Sequence, residues 1–114
     1  EEVLIQVQTQ NNKVWRLFIM DTEFRSETQI KLRFNRLVGQ FENNSKYTPY
    51  KESQTIDENE DISYGISVNN KQYEAIFVSE TGGKVWFMIG TYEMNYFIAM
   101  FYESPKNEAD GSDL

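Results

Sequence analysis

The sequence predicts a β-rich α+β domain: a twisted antiparallel sheet of about six strands with one amphipathic helix, residues 27–41, packed on it. Three observations predict it. From Gln72 to Glu103, three segments rich in aromatic and β-branched residues follow one another with almost no spacer, as in an antiparallel meander. Those segments are apolar at odd and even positions alike, which implies a sheet with both faces to cover. Ser26-Glu-Thr-Gln29 forms a capping box ahead of an apolar stripe, Ile30, Phe34, Leu37, Val38 and Phe41, and such a helix supplies a cover.

Taken in chain order, Val3, Ile5 and Val7 alternate with Gln6 and Gln8, which predicts a strand with one wet face. Asn11-Asn12-Lys13 is a turn signal. Val14 to Met20 returns as the hairpin partner, with Val14, Phe18 and Met20 among the core residues. Residues 21–41 admit two readings. As strands, Ile30, Leu32 and Phe34 alternate with Lys31, Arg33 and Asn35, and Gly39 no longer carries its helix cost of about 1 kcal/mol. As a helix, the stripe faces the sheet while Lys31, Arg33, Arg36 and Gln40 face water. The unsatisfied sheet face selects the helix. The competing fold is an all-β barrel or sandwich of lipocalin-like size around an apolar cavity.

Residues 42–61 form a long polar connection, the kind of loop that is usually functional or mobile. Ile62-Ser-Tyr-Gly-Ile-Ser-Val68 alternates and reads as a further strand, joined to Gln72 through Asn69-Asn70-Lys71. Between 72–79 and 84–92, Gly82-Gly83 suit the centre of a two-residue primed turn. That register sets Ile76 against Ile89, Phe77 against Met88 and Val78 against Phe87. One face then collects Ile62, Tyr64, Ile66, Tyr73, Ala75, Phe77, Trp86 and Met88, joined by Phe97, Ala99 and Phe101 if the turn after Tyr92 has an even number of residues. The other holds Ile76, Val78, Val85, Phe87, Ile89, Ile98 and Met100. The helix is assigned to this second face.

The 114 residues suit one domain, 1–103, followed by a disordered acidic tail, 104–114. With no cysteine and no histidine, the chain lacks thiolate chemistry, Cys-ligated metal and the commonest general base. The acids offer no spacing that singles out a catalytic pair, so a non-enzymatic protein without a cofactor is expected. Asp57-Glu-Asn-Glu-Asp61 resembles the opening of an EF-hand loop, but Ile62 stands where glycine is needed and Val68 where the bidentate glutamate belongs. No metal is expected.

A net charge of −7 disfavours nucleic acid, whose affinity rests on Lys and Arg. No apolar run is long enough for a membrane-spanning helix, and the compartment stays open. The composition therefore points to binding a protein partner with a neutral or basic surface; a homodimer is possible. Expected contacts are the tyrosines Tyr47, Tyr50, Tyr96 and Tyr102, since rigid amphipathic rings favour interfaces, with Asp57, Glu58, Glu60 and Asp61 steering association. The alternative is a carrier holding a small apolar ligand in a barrel cavity against Trp15, Trp86, Met88, Phe97 and Phe101. The run of late strands resembles lipocalin-type barrels. Their Gly-x-Trp signature is missing, since Trp15 follows Lys13-Val14, and the resemblance implies nothing further.

Overall fold

A computed structural model of the chain describes residues 3–10, 13–21 and 23–104, with side chains at Gln6, 16–20 and 23–104. Six strands make one antiparallel sheet: β1 (Val3–Gln10), β2 (Lys13–Asp21), β3 (Tyr47–Pro49), β4 (Glu74–Ser79), β5 (Lys84–Tyr92) and β6 (Asn95–Glu103). Their spatial order is β1-β2-β6-β5-β4-β3. A sixteen-residue helix, α1 (Glu27–Glu42), lies on one face, and a short helix, α2 (Ile62–Ser67), precedes β4. The α+β class is as the sequence predicts. The barrel is not formed, because β1 and β3 end the sheet without meeting.

α1 starts where its chemistry dictates. The Ser26 hydroxyl accepts from the Gln29 N–H at 3.3 Å, and the Gln29 side chain accepts from the Ser26 N–H at 3.2 Å, satisfying two donors that the first turn would leave open. Ile30, Phe34 and Val38 are fully buried, with Leu37 and Phe41 packed at their side. Leu32, the residue that favoured a strand, is 61% exposed. Beneath the helix lie Ala75 and Phe77 of β4, Val85, Phe87 and Ile89 of β5, and Ile98 of β6. Phe34 meets Phe87 edge-on at 5.2 Å, and Phe41 stacks on Phe77 at 5.2 Å. Aromatic pairs in such geometries add to the burial of their area.

The β4–β5 register departs from expectation by three residues: Phe77 faces Val85 and Ile76 faces Trp86. The cause is Ser79. Its hydroxyl accepts from the Gly83 N–H at 2.8 Å while its backbone N–H donates to the Gly83 carbonyl at 2.8 Å, so Glu80, Thr81 and Gly82 become a three-residue loop with the positive φ at Gly82 (101°) alone. Because three is odd, the residues of β4 exchange faces. Ala75 and Phe77 go under the helix and Ile76 to the far side. Val85, Phe87, Ile89 and Ile98 are under the helix as predicted.

The segment 62–68 is helical where a strand is predicted. Asp61 caps it, its carboxylate accepting from the Tyr64 N–H at 2.9 Å, and Glu27 accepts from the Ile62 N–H at 2.8 Å. Ile62 and Gly65 are buried and Ile66 packs on the core, while Tyr64 is exposed; that is helical spacing, and over six residues the two periods are nearly indistinguishable. The 43–61 connection is also more ordered than a polar loop suggests. Ile56 enters the core, and buried Gln54 accepts from the Ile76 N–H at 2.8 Å and donates to its carbonyl at 3.0 Å, extending the sheet where β3 stops at Pro49. Lys31 donates to the carbonyls of Glu58 and Glu60, and Asn35 exchanges two bonds with Ile56. The expected wet side of α1 is thus partly strapped down.

Candidate interaction surface

The sheet face away from α1 is built by alternation along β2, β6, β5 and β4. Their registers align Phe18, Phe101, Trp86 and Ile76 in one row and Met20, Ala99 and Met88 in the next. Trp86 stacks on Phe101 at 5.0 Å, and Phe101 meets Phe18 at 4.9 Å. All but Ala99 of these side chains are half-buried: they cover one another, and no element among the described residues covers them. Phe97 crosses the bare backbone of Gly90, where a Cβ would collide with the ring. Phe24 meets Phe97 at 5.7 Å and Tyr92 at 5.5 Å, which carries the aromatic surface to the end of the sheet.

At that end β5 turns into β6 through Glu93-Met94, both left-handed at φ 50° and 67°. Glycine or asparagine is the ordinary occupant of such positions, and other residues are disfavoured there. Met94 is 94% exposed, so a disfavoured turn presents an apolar side chain to water beside Tyr92. The two-residue length fixes Phe97, Ala99 and Phe101 on the same face as Trp86 and Met88, as expected for an even loop. At the opposite end Lys84 lies over the Trp86 ring, 5.3 Å from its centroid, and Arg16 pairs with Glu103. A surface depression of about 350 Å³ runs among Gln6, Arg16, Phe18, Trp86 and Phe101.

Four residues read as lining a ligand cavity, Trp86, Met88, Phe97 and Phe101, therefore share this face, although no barrel encloses them. Trp15 lies in β2, and its side chain falls outside the described residues. Phe18 and Met20, expected in the core, belong to this open face. The tyrosines named as contacts do not converge. Tyr96 is 8% exposed, on the helix side beside Ile98, because it sits opposite Thr91 rather than Tyr92; it is a core residue. Tyr47 packs edge-on against Phe41 at 5.1 Å, and Tyr102 packs on the core from β6. Tyr50 alone of the four is freely exposed, at 67%.

The acidic run serves local structure. Asp57 accepts from the Asn59 N–H at 2.7 Å, Glu58 offers its carbonyl to Lys31, and Asp61 caps α2. Glu60 accepts from Lys71 at 2.7 Å and from the Tyr73 hydroxyl. These donors, Lys71 first, hold its carboxyl below the usual range, while burial and then Glu60 itself push the Tyr73 phenol well above its own. A group whose pKa falls on folding adds stability above its unfolded value and loses it as pH drops through the folded one. Glu60 is therefore expected to contribute to acid sensitivity below the ordinary carboxylate range. Thermal melts between neutral and acid pH should lose part of their pH slope in Glu60→Gln; an unchanged slope would separate Glu60 from acid unfolding.

No cluster of three metal-ligating side chains occurs among the described residues, and no helix is long and apolar enough to cross a membrane. No known protein family matches this sequence, and no curated protein or solved structure is similar to it.

Proposed function

We propose that this chain is a non-catalytic binding module that recognises a protein partner through the open aromatic face of its sheet. The observation that carries the reading is the row Phe18–Phe101–Trp86–Ile76, half-buried and uncovered among the described residues. Four strands about 4.8 Å apart span roughly 15 Å and eight steps of about 3.3 Å along β5 span roughly 26 Å, an outline of at most roughly 400 Å². Its apolar centre lies inside a rim that holds Arg16, Glu74, Lys84 and Glu103, the anatomy of an interaction site. The left-handed turn that exposes Met94 supports the same reading, since backbone strain persists where something selects for it. The net charge of −7 favours a neutral or basic partner, with the apolar face as the centre of contact and charged groups such as Lys84 and Glu103 at its rim.

The test is recovery of a stoichiometric second polypeptide from host lysate by the folded wild-type chain, compared with Trp86→Ala/Phe101→Ala and with Tyr50→Ala. Loss of that polypeptide in the face variant and its retention in Tyr50→Ala is the expected result. Equal recovery by all three would overturn the assignment of the face. The depression beside Trp86 favours a second reading, carriage of a small apolar ligand; native mass spectrometry of the chain purified from its host would then show a bound small molecule instead of a polypeptide.

A further inference from the structure

The two edges of the sheet are built differently. β3 is short and ends in Pro49, which has no N–H to offer, and exposed Lys46 and Lys51 flank it. Brevity, proline and lysine are the devices by which sheets prevent edge pairing. β1 has none of them. It runs for eight residues, Val-Leu-Ile-Gln-Val-Gln-Thr-Gln, without a charge, a proline or a glycine. It pairs only with β2 among the described residues, so every second residue turns its N–H and C=O away from the sheet. An unpaired edge of this kind is a template for another strand.

From this contrast we infer that β1 pairs antiparallel with β1 of a second copy of this chain, joining two six-stranded sheets into one of twelve. Three observations favour a second copy as the occupant. A strand pairing antiparallel with its own copy obeys two-fold symmetry, the commonest closed arrangement. In a chain of net charge −7, this uncharged segment lets two copies meet without placing like charges opposite each other. A two-fold axis passing through Gln6 sets the Gln6 of each copy opposite that of the other, with both side chains on one face of the joined sheet. Apolar surface also continues to this edge: Leu17 and Ile19 of β2 stay half-buried, and the principal contacts of α1 fall on β3, β5 and β6. The joined sheet would present two aromatic faces side by side, which raises avidity for a repeated partner. The inference stands on the edge and not on the aromatic face.

Sedimentation equilibrium of the full chain, with backbone amide exchange at low and high concentration, tests it. The expected result is a species of twice the chain mass at high concentration, with amides at alternate positions of β1 becoming protected as it forms. Gln6, exposed and near the proposed axis, supplies two variants. Gln6→Lys sets two cations face to face and should weaken the dimer about tenfold or more, with little change in melting temperature at low concentration. Gln6→Cys, in a chain without other cysteines, should cross-link to a dimer on oxidation. A monomer at every concentration, or a dimer that survives in Gln6→Lys while alternate β1 amides exchange freely, would overturn the inference. Neither outcome bears on recognition through the aromatic face, which is read from Trp86→Ala/Phe101→Ala.

Discussion

Truncating Phe34 to alanine is expected to lower the stability of the fold by about 3–5 kcal/mol, the range for removing a fully buried phenylalanine ring. Phe34 is the middle of the three fully buried residues of α1, wholly inaccessible and edge-on to Phe87. It joins the helix to the centre of the sheet. Its neighbours on the helix, Ile30 and Val38, are themselves locked into the core, so the space cannot close by a small shift and a cavity term adds to the lost transfer energy. A small domain has roughly 5–15 kcal/mol in all, and a loss of this size should bring the urea midpoint close to native conditions. Leu32→Ala, on the exposed side of the same helix, should stay within roughly 0.5 kcal/mol of wild type. Equal effects of the two substitutions would mean that α1 is not seated as described.

Gly65→Ala is expected to destabilise by about 1–3 kcal/mol, as overpacking does, although alanine inside a helix normally gains about 1 kcal/mol over glycine. The reversal comes from one contact. A Cβ at Gly65 falls within the volume of the Tyr73 hydroxyl, and Tyr73 cannot move without leaving Glu60, which Lys71 holds from the other side. Tyr73→Phe removes the clashing oxygen, so in the Gly65→Ala background it should recover stability, whereas alone it should cost some. A double-mutant cycle measures that coupling, and additive effects would show that the two residues do not touch.

Local chemistry was legible in the sequence and long-range pairing was not. The Ser26–Gln29 box and the Ile30-to-Phe41 stripe predict α1 nearly to the residue, because capping and helical periodicity are set within a few turns of chain. The strands of the last third were equally plain. Their register was not, since Gly82-Gly83 fits two turn lengths and the Ser79 hydroxyl decides between them. Ile62, Tyr64 and Ile66 fit both periods; the Asp61 cap that selects the helix is local, but the Glu27 carboxylate that secures it lies far away in sequence.

The surface was legible in part. Trp86, Met88, Phe97 and Phe101 were grouped correctly because alternation along β5 and β6 survives any even loop between them. That Phe18 and Met20 extend the row follows from β2 lying beside β6, an adjacency without a sequence signature. Tyrosine content does not by itself mark a surface, because the same amphipathic ring serves a core margin at Tyr47 and Tyr102 and the core itself at Tyr96, while Tyr50 is exposed. Of the acids at 57–61, read as a steering patch, Asp57 and Asp61 also make local turn and cap bonds.

Hydroxyl-radical footprinting of the dilute chain, alone and with a captured partner, tests the central claim most directly. Trp86, Met88 and Phe101 should label readily in the free chain while Phe34, Phe77 and Phe87 do not, and the first three should become shielded when the partner binds. Protection of Trp86, Met88 and Phe101 in the isolated monomer, or labelling unchanged by the partner, would contradict an open recognition face on this sheet.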